Sequence, residues 1–201
     1  MMNNTRNMKR ALVVLLWCAI APEILAQSNQ LVVINPHPPT FVKTMNQVFP
    51  ETTLLMQSSI KCVYPVDFDY DSDIDLVTCG GEWLSPGLVA WWENLDGSGS
   101  NWVEHAVAGD APNPTSACAA DLDGDHDNDI VATCYDDRDL TWWENLNSNG
   151  TSWAVHVIED FNGDVGANRV AVQDLNGDGS PDLLGAFESS GIYCWDNVGH
   201  G

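Results

Sequence analysis

Three times along the chain the same acidic pattern returns: VDFDYDSDIDLV from Val66, ADLDGDHDNDIV from Ala120 and QDLNGDGSPDLL from Gln173. The leading aspartates Asp67, Asp121 and Asp174 stand 54 and then 53 residues apart. A repeat of that length constrains the fold more than any local propensity does, because each copy must be one supersecondary unit that buries its apolar faces against the next. A second marker keeps step with the first, as VAWWENL from Val89, LTWWENL from Leu140 and IYCWDNV from Ile192. A third, WVEHAV from Trp102 and WAVHVI from Trp153, follows the first two copies, and a partial cousin, FVKTMNQV from Phe41, precedes them all.

Each unit reads as four short strands around one acidic loop. Strand one ends at the first aspartate, strand two is the apolar run after the last (DLVTC, DIVATC, DLLGAF), strand three is the WWEN run and strand four the WxxH run. These runs are rich in Val, Ile, Trp and Thr and are broken by Gly, Asn, Asp and Ser clusters, and no helical period competes with them. The predicted fold is therefore all-β: three repeats of about 53 residues, each a β-propeller-type blade of four antiparallel strands. The predicted blades are 60–109, 110–160 and 161–201, the last lacking its fourth strand, and residues 27–59 form a lead-in whose strand at Phe41 completes a blade. A ring usually needs four to eight blades. The expectation is an incomplete propeller, or one completed by a homo-oligomer or by continuation in a longer chain.

Within each unit the acids fall as DxDxDxxxD: Asp67, Asp69, Asp71 and Asp75; Asp121, Asp123, Asp125 and Asp129; Asp174, Asn176, Asp178 and Asp182. In a tight loop positions 1, 3 and 5 converge, position 9 returns from the next strand, and the carbonyl of position 7 (Asp73, Asp127, Ser180) joins them. Such a set of hard oxygens suits Ca2+, which takes 6 to 8 oxygen ligands, at up to three sites. No His or Cys falls at a ligand spacing for a transition metal, and neither the strand flanks nor position 12 (Thr78, Ala132, Gly185) fits an EF-hand. Gly124 and Gly177 suit a loop with unusual backbone angles, where the first copy has Tyr70. The third loop, with Asn176 in place of an acid, is expected to bind most weakly.

The chain opens with a basic stretch (Arg6, Lys9, Arg10), an apolar run from Ala11 to Ala21 and the segment PEILAQ, which read as a signal peptide over residues 1–26. The mature protein is thus expected outside the cell or at its surface, with no membrane insertion after cleavage. Formal net charge is −22 at pH 7 for the whole chain, and beyond residue 26 only Lys43, Lys61, Arg138 and Arg169 offset the acids. That balance repels phosphate and anionic lipid, so nucleic acid is excluded as a partner, and it points to bound cations.

With these motifs in view, the segment from Phe41 to Val198 resembles the FG-GAP or VCBS-type repeats of bacterial secreted proteins, relatives of the repeats in integrin alpha-chain heads. The resemblance implies calcium-binding blades and a non-enzymatic module for adhesion, or for binding a glycan or protein ligand. The alternative it leaves open is a fragment of a secreted propeller enzyme, a lyase or hydrolase acting on polysaccharide. Every acid that a motif singles out belongs to a repeating loop, whereas catalysis needs an acid and a base placed once in a groove, so no catalytic residue is assigned. His105 and His156 share a repeat position and read as structural. Trp92, Trp143 and Trp195 are expected to pack between blades with Trp102 and Trp153, while Trp91 and Trp142, whose third counterpart is Cys194, are candidates for an exposed sugar-stacking face. Cys62 with Cys79 and Cys118 with Cys134 flank loops one and two and admit cross-strand disulfides. Five small buried residues are the other reading.

Overall fold

The computed structural model describes residues 59–81, 86–161, 166–188 and 191–199. The predicted signal peptide and the predicted strand at Phe41 lie outside them. Among the described residues there are eleven strands and no helix: β1 (Ile60–Val66), β2 (Asp75–Gly80), β3 (Pro86–Asn94), β4 (Trp102–Pro112), β5 (Pro114–Ala120), β6 (Asp129–Cys134), β7 (Asp139–Asn145), β8 (Trp153–Asp160), β9 (Ala167–Gln173), β10 (Asp182–Phe187) and β11 (Gly191–Trp195). They form three antiparallel meanders in chain order, β1-β2-β3-β4, β5-β6-β7-β8 and β9-β10-β11. The fold is all-β with four-stranded, propeller-type blades, and the third sheet has three strands among the described residues.

Burial follows from how the sheets stack. Strand β6, DIVATC, is buried at every position, because both of its faces are covered. Ile130, Ala132 and Cys134 join Val77, Cys79, Val89 and Trp91 of the first sheet in one cluster, whereas Val131 joins Cys118 and Leu140 with Val170 and Leu183 of the third sheet in another. A strand covered on both sides reads as a continuous apolar run, which is why these central strands lack the alternation of a half-exposed one. Strands β4 and β8 are covered far less, with Val103, Val155 and Val157 exposed. The first strands of successive sheets lie side by side, β5 against β1 on one side and β9 on the other.

Sequence and structure part company over two details of packing. Trp91 is 1% exposed and belongs to the core between the first two sheets, sandwiched by Phe68 at 4.6 Å and His105 at 4.2 Å, so it offers no face to a sugar. Its indole N–H donates to the Gly150 carbonyl of the second sheet's β7–β8 hairpin, 3.3 Å away. Trp142 is half-buried, with His156 stacked on it at 4.5 Å. The second detail is Cys118 and Cys134, which are not partners: Cys118 opposes Val131, Cys134 opposes Pro114, and the two side chains enter different clusters.

Candidate metal centres

Each acidic loop bridges the first and second strands of its sheet, and its path is set by carboxylates that accept hydrogen bonds from amides just ahead of them. In the first loop Asp71 N donates to Asp69 Oδ1 and Asp73 N to Asp71 Oδ1. In the second, Gly124 N and His126 N both donate to Asp121, Asp125 N to Asp123 and Asp127 N to Asp125. The third repeats this pattern around Asp174, Asn176 and Asp178. Such turns force positions 4 and 6 into left-handed backbone, with φ of +62° at Tyr70 and +80° at Ser72, +83° at Gly124 and +76° at His126, and +80° at Gly177 and +95° at Gly179. Tyr70 takes the glycine-like conformation in spite of its side chain.

Winding the loop this way gathers the acids. One carboxylate oxygen from each of Asp67, Asp69 and Asp71 lies within 4.8 Å of the others, and the same holds for Asp121, Asp123 and Asp125. Among the described ion pairs none brings a lysine or arginine to these loops, and His126 lies 3.6 Å from Asp121. Among the described residues five carboxylate oxygens stand buried and without a hydrogen-bond partner, and three of them belong to these loops: Asp67 Oδ1, Asp73 Oδ1 and Asp127 Oδ1, the others being Glu104 Oε1 and Asp139 Oδ1. Asp127 is only 3% exposed. Leaving such an oxygen unpartnered costs about 1–3 kcal/mol or more for a charged group, so it marks a place where a cation fits. The donors are all hard oxygens, the set that suits calcium.

Electrostatics tells the same story. Burial, followed by the neighbouring Asp71 carboxylate, pushes Asp69 above the usual carboxylate range. Asp73 is raised by desolvation and then by Asp71 and Asp67, and Asp123 by desolvation with Asp125 adding to it. Like charges with no cation among them resist ionisation.

Position 9 has a second task that the spacing does not reveal. Asp75, buried at 1% exposure, accepts Phe68 N on one oxygen and Asn94 N on the other, at 2.9 and 2.8 Å. Asp129 accepts Leu122 N and Asn145 N, and Asp182 accepts Leu175 N and Asn197 N, in the same way. Each carboxylate so tied keeps further lone pairs for a ligand, since an ionised carboxylate has about four acceptor sites. Burial pushes Asp129 up to about 7 despite its two amide donors, whereas those to Asp182 hold it below the ordinary value.

The asparagine of the WWEN marker, which sequence reasoning left without a role, completes this lock. Asn94, Asn145 and Asn197 each donate their side-chain amide to the carbonyl of loop position 8 (Ile74, Asn128, Pro181) and accept an amide from the turn that follows (Gly99, Gly150, Gly199). Recurrence at every copy was the available signal. The preceding acid was missed as well. Glu93 and Glu144 adjoin the loops closely enough to raise Asp69 and Asp123, and Asp196 accepts Asn176 Nδ2 at 2.6 Å. Glu93 and Glu144 also pair with His105 and His156 at 2.8 and 2.6 Å, and the histidines stack on Trp91 and Trp142.

The loops communicate across sheets. Asn128 Nδ2 of the second loop donates to both the Asp67 and Phe68 carbonyls of the first, and Asn197 Nδ2 reaches the Leu122 carbonyl of the second. In the third loop Asn176 Nδ2 also donates to Asp178 Oδ2. Among the described residues the third loop gathers no three-acid cluster of the kind the first two form.

Residues 67–132 match the family model of the FG-GAP-like repeat, from the first aspartate of loop one to the middle of β6. A curated relative, the T-cell immunomodulatory protein homolog of Plasmodium falciparum (isolate 3D7), is 30% identical over 97 residues, which is 46% of this chain. The matched segment spans 13% of that relative's length. No helix among the described residues is long and apolar enough to cross a membrane.

Proposed function

We propose that this chain is a secreted or cell-surface, calcium-binding repeat module that presents adhesion or ligand-binding surfaces and has no enzymatic activity. The calcium reading is carried by two three-aspartate clusters, each gathered within 4.8 Å and joined by buried oxygens that lack a partner. Adhesion is supported by the match of residues 67–132 to the FG-GAP-like repeat, together with the resemblance of the acidic repeats to those of integrin alpha-chain heads, and export by the leader-like first 26 residues. His105 and His156 are held by Glu93 and Glu144 in matching stacks, which argues for a structural pair over a catalytic one. A glycan or protein ligand would be read by the loops, since Trp91 is inside. Further blades, from a second copy or from a longer chain, would stack on the third sheet's outer face, where Ile192 and Cys194 are exposed.

Calcium serves the fold first. An ion that binds the wound loop and not the open chain adds stability by mass action. Calorimetric titration of the chelator-treated protein is expected to give two ions bound with higher affinity than any third. Asp123→Asn with Asp125→Asn should remove one of the two and leave the other. No heat of binding at millimolar calcium, with the protein folded, would sink this reading.

A further inference from the structure

We propose that Cys62 and Cys79 are a disulfide-forming pair, joined by exchange with a low-molecular-weight disulfide. The two residues are direct register partners across β1 and β2, and their sulphurs stand 3.2 Å apart. Directly opposed residues of an antiparallel pair have Cα atoms about 4.5–5.5 Å apart, inside the span of a disulfide. The sulphurs then need to close by about 1.2 Å to reach a bond of about 2.05 Å, a movement small side-chain rotations supply. Among the described cysteines no other pair is so placed: Cys118 opposes Val131, Cys134 opposes Pro114 and Cys194 opposes Leu184.

The two thiols are unequal in a way that sets the order of events. Cys62 is half-buried and Cys79 fully buried. The Cys79 thiol donates to the Cys62 sulphur, and the Ala117 amide of β5 donates to it as well, at 3.1 Å. Those donors, Cys79 first, hold the Cys62 thiol below its ordinary range although burial opposes them. Cys62 is therefore the attacking thiolate. It attacks one sulphur of the incoming disulfide, forming a mixed disulfide and expelling one thiolate. Cys79 passes its proton to that thiolate and attacks Cys62 Sγ, closing the protein disulfide and releasing the second thiolate, which takes up the proton Cys62 gave to solvent. Two protein thiols are oxidised and one small disulfide is reduced to two thiols.

The bond would close a ring that holds the whole first acidic loop. In the second sheet the equivalent places, five residues before the leading aspartate and four after the last, are taken by Ser116 and Thr133, which oppose each other in register with Thr133 Oγ1 donating to the Ser116 carbonyl. The covalent tie thus belongs to the first blade alone. It depends on no bound metal, so it stands or falls separately from the calcium reading.

The test equilibrates the full chain in glutathione and glutathione disulfide, quenches with acid, unfolds and alkylates it, and cleaves it both on the amino side of aspartate and after lysine and arginine, which parts Cys62 from Cys18. That cleavage leaves Cys62 on a peptide ending at Val66 and Cys79 on one beginning at Asp75. The expected result is a linked pair of these two peptides, with Cys18, Cys118, Cys134 and Cys194 alkylated. Melting of the linked form should fall by about 5–10 °C on reduction. Cys79→Ala should trap glutathione on Cys62. Alkylation of both Cys62 and Cys79 at every poise, or linkage of either to another cysteine, overturns the proposal.

Discussion

Asn145 has no exposed surface, and both polar atoms of its side chain are hydrogen-bonded. Its backbone amide meets Asp129, its side-chain amide the Asn128 carbonyl, and its side-chain oxygen accepts Gly150 N. Asn145→Ala keeps the first bond and strands a carbonyl and an amide in the interior, so an unfolding titration should read a loss of about 3 kcal/mol. A loss under 1 kcal/mol would mean that water replaces the lock. His126 supplies the opposite case, a side chain 94% exposed on left-handed backbone. Loop three has Gly179 at that place. Left-handed backbone costs an ordinary residue about 1–2 kcal/mol, and glycine returns part of that as chain entropy. His126→Gly should therefore stabilise the chelated protein by about 0.5–1 kcal/mol in the same titration.

The hairpin between the third and fourth strands separates backbone strain from packing. Gly99 and Gly150 stand five residues after Asn94 and Asn145, with φ of +75° and +61°. A Cβ on Gly99 would meet Trp102 at 3.5 Å, ordinary contact, but one on Gly150 would meet Trp91 Nε1 at 2.4 Å. Gly99→Ala should cost about 1–2 kcal/mol, the left-handed term alone. Gly150→Ala should cost about 1–3 kcal/mol more, because it drives the second sheet's hairpin off the first sheet's tryptophan. Equal losses in thermal melting would show that this contact carries no stability. The period, the first three strands of each unit and the acidic loops were legible in the sequence because each recurs in every copy. The pairing of Cys62 with Cys79 and not Cys118 with Cys134 was not, because it depends on cross-strand register: Cys118 falls at the place Tyr64 holds in the first sheet and Cys134 at that of Gly80. Trp91 was misplaced for a related reason. A marker that varies to Cys194 in the last copy looked tolerant of exposure, yet that copy has no following blade among the described residues to press against it.

At the scale of the molecule, a net charge of −22 must be reconciled with a stack of closely packed sheets. Two remedies are open, diffuse screening by salt and specific binding of a divalent cation, and distance decides between them. The screening length is about 8 Å in 0.15 M salt and still about 4–5 Å in 0.5 M. The oxygens within each cluster lie no more than 4.8 Å apart. Because the clustered oxygens are this close and partly buried, salt weakens repulsion between loops and edge strands more than it weakens repulsion inside a loop. Calcium acts where salt acts least, and at a hundredfold excess over its dissociation constant each site adds about 2.7 kcal/mol. For two sites in a chain of this size the melting temperature should rise by about 10–20 °C. Raising sodium chloride from 0.15 to 0.5 M in chelator should recover less than a third of that rise, read by scanning calorimetry. If sodium chloride alone matched calcium, the acidic loops would be bare turns repelling one another across the surface, and the clustered oxygens would have no role as ligands.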